Sequence, residues 1–107
     1  HELLDPLHVF MPPERKIEHN TWHTFVIQIE RREALKAWLA EKGIETAVHY
    51  PVPLHLQPAA IELGYREGDM PETERQAARI LTLPVNQFLK DEDIEFVANA
   101  VNRFFAA

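Results

Sequence analysis

Trp22–Val48, WHTFVIQIERREALKAWLAEKGIETAV, decides the fold class of this chain. From Trp22 to Ile29 the residues are rich in aromatic and β-branched types, and Phe25, Ile27 and Ile29 alternate onto one face, which predicts a strand. His23 falls on that same face, at the leading end. The period then changes. Ala34, Leu35, Trp38 and Leu39 recur at helical spacing within a predicted helix over 31–42, and Gly43 stands just past its end, where a left-handed residue closes the last turn. Ile44–Val48 predicts a second, short strand.

Downstream, Leu54–Leu63 predicts a short or broken helix, because Pro58 interrupts it and Gly64 ends it. Gly68–Asp69 marks a turn. Pro71 suits the first turn of a helix running to about Arg79, with Glu72 and Glu74 well placed against its positive end. Ile80–Leu83 is a brief strand stopped by Pro84. A last helix starts near Asp91, with Ile94, Val97, Val101 and Phe104 as its buried stripe. Upstream, residues 1–21 form a leading segment, irregular apart from a short strand near Val9–Met11. The order implies an α+β domain with helices packed on one face of a small sheet, and no linker divides residues 1–107.

The bulk composition agrees. The chain has 107 residues, 46% of them apolar and 26% charged, which is ordinary for one soluble domain with a real core. No apolar run approaches the roughly 18 residues of a membrane span. Cysteine is absent, which excludes disulfides, thiolate metal sites and cysteine nucleophiles, and the cytosol is the simplest compartment. Net charge is −6 with scattered basic residues, whereas a nucleic-acid binder gathers a basic face. The chain opens on His1 rather than methionine, as expected of a trimmed chain or of a piece of a longer one.

Gly43–Pro58, GIETAVHYPVPLHLQP, is the most informative stretch for function. Pro51, Pro53 and Pro58 fix their own φ and bias the residues before them toward extended backbone, so the loop is held nearly straight. It presents His49, Tyr50 and His55. A turn needs none of these groups.

Each candidate has a bland reading beside the sharp one. His23, His49 and His55 do not make a metal site, because no helix pairs them and no close carboxylate or thiolate completes a set. Imidazole suits proton transfer near neutrality, which makes His49 a candidate base. The other reading is a loop histidine bonded to backbone. With no serine or cysteine in the chain, no nucleophile system stands beside it. Tyr50 reads as a group that stacks on a ring or donates to a phosphate or sugar, or equally as a loop anchor. His23 reads as a satisfied buried histidine or as one facing a cleft. Trp22 and Trp38 read as core or subunit contacts, and the acidic run Glu67–Asp69 with Glu72 and Glu74 as a solvated turn and helix start. None of Lys16, Lys36, Lys42 and Lys90 shows an apolar pocket suited to Schiff-base work. The residues alone yield no catalytic constellation.

Taken in order, these segments become familiar. Trp22–Ile29 with His23, the L-x-x-x-L helix, Lys42–Thr46, His49-Tyr50-Pro51, Pro53–Pro58, Leu63-Gly64-Tyr65, Pro71–Glu74, Leu81–Pro84 and the acidic closing helix together resemble the C-terminal small domain of the DegT/DnrJ/EryC1/StrS aminotransferases. The resemblance runs from about Thr21 to Phe105 and is specific because order and spacing agree across many motifs. It implies a three-stranded, mainly antiparallel sheet with helices on one face, as in fold type I pyridoxal-phosphate enzymes. It implies a parent that moves an amino group from glutamate to a nucleotide-linked keto sugar, 3-keto-6-deoxy or 4-keto, within a homodimer. His49, Tyr50 and His55 would then approach the sugar nucleotide or shape the cleft that receives it, with His23 bordering that cleft.

The resemblance also implies that the cofactor lysine and phosphate-binding groups belong to a preceding large domain, which these residues do not include. The expectation is therefore no catalytic and no cofactor-binding residue here, and no activity of the 107 residues alone. A stand-alone module that binds a ligand or protein without chemistry stays open beside it. The two differ in surface: a domain cut from an enzyme exposes an apolar patch where its large domain sat, with Pro53, Leu54, Leu56, Val9 and Phe10 as candidates.

Overall fold

Phe25–Ile29 forms the central strand, β2, of a three-stranded antiparallel sheet in the computed structural model, which describes residues 1–107. The short β1, Val9–Phe10, pairs with one edge, Val9 opposite Ile29. On the other side β3, Ile80–Leu83, sets Phe25 opposite Leu83 and Ile27 opposite Leu81. Side chains alternate along a strand, so this register puts Phe25, Ile27, Ile29, Leu81, Leu83 and Val9 on one face. Val26, Gln28, Thr82 and Ile80 lie on the other.

Two helices cover the first face. Helix α1, Arg32–Glu41, buries Leu35 and Leu39 completely. Helix α4, Asp91–Ala106, buries Ala98, Ala100, Val101 and Phe104. These side chains and the strand residues form one core cluster, and the indole N–H of Trp38 donates to the Ala100 carbonyl at 2.9 Å, stitching the helices together. The first turn of α4 holds Asp91, Glu92 and Asp93 against the helix dipole, and the Asp93 carboxylate accepts the Lys90 backbone N–H at 3.0 Å. Asn102 clamps the leading segment onto the same helix, accepting from the Asp5 N–H at 3.0 Å and donating to the Leu3 carbonyl at 2.8 Å.

Between Pro53 and β3 lie a 3₁₀ turn at Leu54–Leu56, helix α2 at Pro58–Glu62 and helix α3 at Pro71–Ala77. The predicted break at Pro58 is therefore real. The end of α3 is tied to the start of α1, where the Arg32 guanidinium donates to the Ala77 carbonyl. No helix is long and apolar enough to cross a membrane.

The structure corrects several expectations. The strand begins at Phe25 rather than Trp22, because Trp22 takes a left-handed φ of 53° that breaks extended backbone. His23 is consequently exposed rather than core-facing. The strand expected over Ile44–Val48 shrinks to one bridge between Ala47 and Thr82. The helix closure explains why: Gly43 sits at φ 75°, its N–H bonds to Ala40 and the Ile44 N–H bonds back to Leu39, so residue 44 is spent on the cap. Ala34 is exposed, and Ile94 is 46% exposed because the first turn of α4 borders an apolar groove beside Leu83 and Pro84. Of the expected apolar patch, Leu54 and Phe10 are exposed, whereas Val9 is buried as the core-facing residue of β1.

Candidate functional site

The second face of the sheet positions the site. Val52, Pro53 and Leu54 of the loop lie over that face and, with α3, border an open cavity of about 450 Å³ lined below by Val26 and Ile80. His49 and Tyr50 stand on its wall together with Gln57 of the loop and Glu72, Thr73 and Gln76 of α3.

His49 is anchored by one bond: its Nδ1 lies 2.8 Å from the Thr82 hydroxyl. The His49–Tyr50 peptide bond is cis, and the two rings meet edge to face at 5.3 Å. Tyr50 is 73% exposed and its hydroxyl bonds to no other residue, so it is free for a ligand. Loop shape is kept by the Gln57 amide donating to the Val52 carbonyl at 3.3 Å and by the Leu56 N–H donating to the Pro53 carbonyl at 2.9 Å.

On the α3 side of the wall the one carboxylate, Glu72, is ion-paired. Glu72 accepts from Arg75 at 2.6 and 2.9 Å and from the Gln76 amide at 2.8 Å. These bonds, Arg75 first and then Gln76, hold its carboxyl at about 2, well below its ordinary 4.5, and the same pairing raises Arg75.

His55 sits differently. It is buried in the 3₁₀ turn behind the loop, 4% exposed, and forms no part of the cavity wall. Neither ring nitrogen has a hydrogen-bond partner, and its Nε2 lies 3.6 Å from Glu74. Glu74 in turn accepts the Gly68 N–H at 2.8 and 3.1 Å, so a carboxylate of α3 joins the His55 turn to the tight turn at Gly68. His55 thus lies where it shapes the loop from beneath.

The structure therefore brings His49 and Tyr50 together on one wall, places His55 behind the same loop, and leaves His23 exposed and off the wall. Sequence reading did not single out Thr82 as a partner of the site. A signal existed: in Ile80–Leu83, alternation points Thr82 away from Leu81 and Leu83, and a polar residue buried on that face needs a partner.

The residues do not fit a pyridoxal phosphate held covalently by this chain. No lysine lines the cavity, Lys42 lies over the Trp38 ring with Nζ 3.4 Å from its centroid, and Lys16 and Lys90 are exposed.

Against known proteins the outcome is unambiguous. Residues 1–102 match the DegT/DnrJ/EryC1/StrS aminotransferase family. The chain belongs to that family. It is 40% identical over 97 residues to the "pleiotropic regulatory protein" of Geobacillus stearothermophilus, covering 91% of this chain and 26% of that protein. It is 33% identical over 96 residues to the dTDP-3-amino-3,6-dideoxy-alpha-D-galactopyranose transaminase of Aneurinibacillus thermoaerophilus, covering 90% and 26%. Among solved structures, DesV of S. venezuelae superposes with a TM-score of 0.84 at 34% identity, covering 91% of this chain and 26% of that one. The chain spans about a quarter of the length of the relatives it matches. The DegT/DnrJ/EryC1/StrS family is pyridoxal-phosphate-dependent, and the fold here is that of the small domain of fold type I aminotransferases.

Proposed function

We propose that this chain is the small C-terminal domain of a pyridoxal-phosphate enzyme that transfers an amino group from glutamate to a nucleotide-linked keto sugar, a 3-keto-6-deoxyhexose in preference to the 4-keto isomer. The observation that carries this reading is the pairing of His49 and Tyr50 on the wall of the 450 Å³ cavity, in a chain whose relatives include dTDP-sugar transaminases. Both side chains offer hydrogen bonds to oxygen-rich ligands, and the exposed Tyr50 ring adds a face for stacking. Residues 1–107 form one domain that supplies a wall of the sugar-nucleotide cleft, while the cofactor lysine belongs to a preceding large domain.

In this reading Tyr50 and His49 orient the sugar and His55 shapes the loop that carries them, while His23, off the cavity wall, is assigned to the border of the wider cleft by the family resemblance alone. The cofactor supplies the amino-group chemistry, and this chain's residues bind and exclude water. The 107 residues alone then transaminate nothing, and the working enzyme is a cytoplasmic homodimer.

The test begins with the intact mass and coding context of the native protein. An upstream domain bearing a lysine, together with glutamate-dependent amination of a dTDP-3-keto-6-deoxyhexose, is the expected result. A native product beginning near His1 with no such activity would instead leave a binding module.

A further inference from the structure

We propose that Thr82 is a positioning residue for His49, holding its ring as the Nε2–H tautomer so that the histidine offers the cavity a hydrogen-bond donor rather than a base. Three observations carry this. Thr82 is a buried residue, 8% exposed, and His49 Nδ1 at 2.8 Å is the one hydrogen-bond partner of its hydroxyl. The Thr82 backbone is fixed on both sides of the peptide, its N–H donating to Ala47 at 2.7 Å and its carbonyl accepting from Ala47 at 3.2 Å. The Nε2 of His49 bonds to no other residue, and His49 stands on the cavity wall.

Proton counting settles the direction of the bond. A hydroxyl has one proton to place and two lone pairs, whereas a neutral imidazole has one donor and one acceptor nitrogen. Were Nδ1–H to donate to Thr82, the hydroxyl proton would be left buried without an acceptor, which is the costly arrangement. The hydroxyl therefore donates to Nδ1, and the ring proton stays on Nε2. A ligand oxygen that accepts, from a phosphate or a sugar hydroxyl, matches this wall. A group that must lose a proton does not.

The tautomer is independent of the proposed function, while its consequence for ligand binding rests on that reading, so the two are tested separately. Long-range proton–nitrogen spectra of histidine-labelled protein at about pH 8, where imidazole is ordinarily neutral, report the tautomer directly, with His49→Gln identifying the signals. Wild type and Thr82→Ser are expected to show the Nε2–H pattern, and Thr82→Val the averaged pattern of a ring free to exchange. Thr82→Ala replaces the valine variant should that one not fold. An Nδ1–H pattern in wild type, or an unchanged pattern once the hydroxyl is gone, would overturn the proposal. In the intact enzyme, Thr82→Val should raise KM for the sugar nucleotide about five-fold, the worth of one ordinary hydrogen bond, with kcat nearly unchanged and serine restoring the value. If the enzyme aminates no nucleotide sugar, the functional reading fails while the spectra still decide the tautomer.

Discussion

The two faces of one small sheet have opposite construction. On the helix-covered face, Ile27, Leu35, Leu39, Leu81 and Val101 are fully buried, and no titratable group enters the core cluster. On the cavity face, strand neighbours one residue away, Val26 and Thr82, lie beneath a loop and a short helix that directional polar contacts pin in place: His49 to Thr82, Gln57 to Val52 and Glu74 to Gly68. Apolar packing needs bulk and shape, so the first face is stable but chemically silent. Hydrogen bonds are weaker in net terms but directional, so the second face can aim side chains at a ligand. In β3 a single residue step separates the two tasks.

The largest effect that would sharpen the contrast is on the silent face. Leu39→Ala should destabilise the domain by about 2–5 kcal/mol, since a fully buried leucine leaves a cavity when cut back. Chemical denaturation measures it. A loss within experimental error would mean that the helix face can collapse around the hole and that the two faces are less distinct than their burial suggests.

A smaller effect belongs to the buried polar contact behind the loop. Glu74→Ala removes the acceptor of the Gly68 N–H and the carboxylate beside His55. The expected cost is about 1.5–3 kcal/mol, the range for a hydrogen bond to a charged group. It should appear as weakened amide protection in residues 54–68 before the rest of the fold is touched. Uniform loss of protection would show that α3 belongs energetically to the core.

Legibility in the sequence follows the same division. Elements specified by periodicity were readable: β3 was placed at its observed ends, and α1 and the start of α4 within a residue or so, because apolar spacing reports directly on the face that is buried. Elements decided by one backbone angle or one tertiary bond were not. The left-handed Trp22 truncates β2 and turns His23 outward, and the capping bond from Ile44 to Leu39 uses the first residue of the strand expected there. The presenting loop was legible through its prolines but its shape was not, because a 3₁₀ turn at Leu54–Leu56 bends the stretch expected to run nearly straight. The depth of His55 was not, because only the three-dimensional position of Glu74 and the Gly68 turn reveals which face of that loop is covered.

On stability, Tyr50→Ala should fall below both earlier effects, within about 0.5 kcal/mol, as exposed side chains do, whereas His49→Ala should cost about 1 kcal/mol because it leaves the Thr82 hydroxyl without its partner. On function the order reverses. In the intact enzyme each should raise KM or lower kcat on the order of ten-fold, the loss of a hydrogen bond to a charged group, with pyridoxal absorbance unchanged. If absorbance falls instead, these residues support fold or cofactor rather than substrate, and the aiming role of the cavity face is lost.

The smallest effect separates the faces by pH. Arg75 and Gln76 hold the Glu72 carboxyl at about 2 rather than 4.5, so the folded state keeps it ionised where the unfolded chain would protonate it. A depressed carboxyl contributes stability above its unfolded value and loses that contribution as pH falls through the folded one. The difference in stability between wild type and Glu72→Gln should therefore be full near neutral pH, shrink as acid is added below 4.5 and vanish near 2. It should also be small throughout and weaken in salt, because the pair is solvent-exposed. The difference between wild type and Leu39→Ala should stay flat over the same range, since no ionisable group enters that packing. A sloping Leu39→Ala difference would show that the two faces are coupled, and a flat Glu72→Gln difference would show that the Arg75 pairing does not persist in solution.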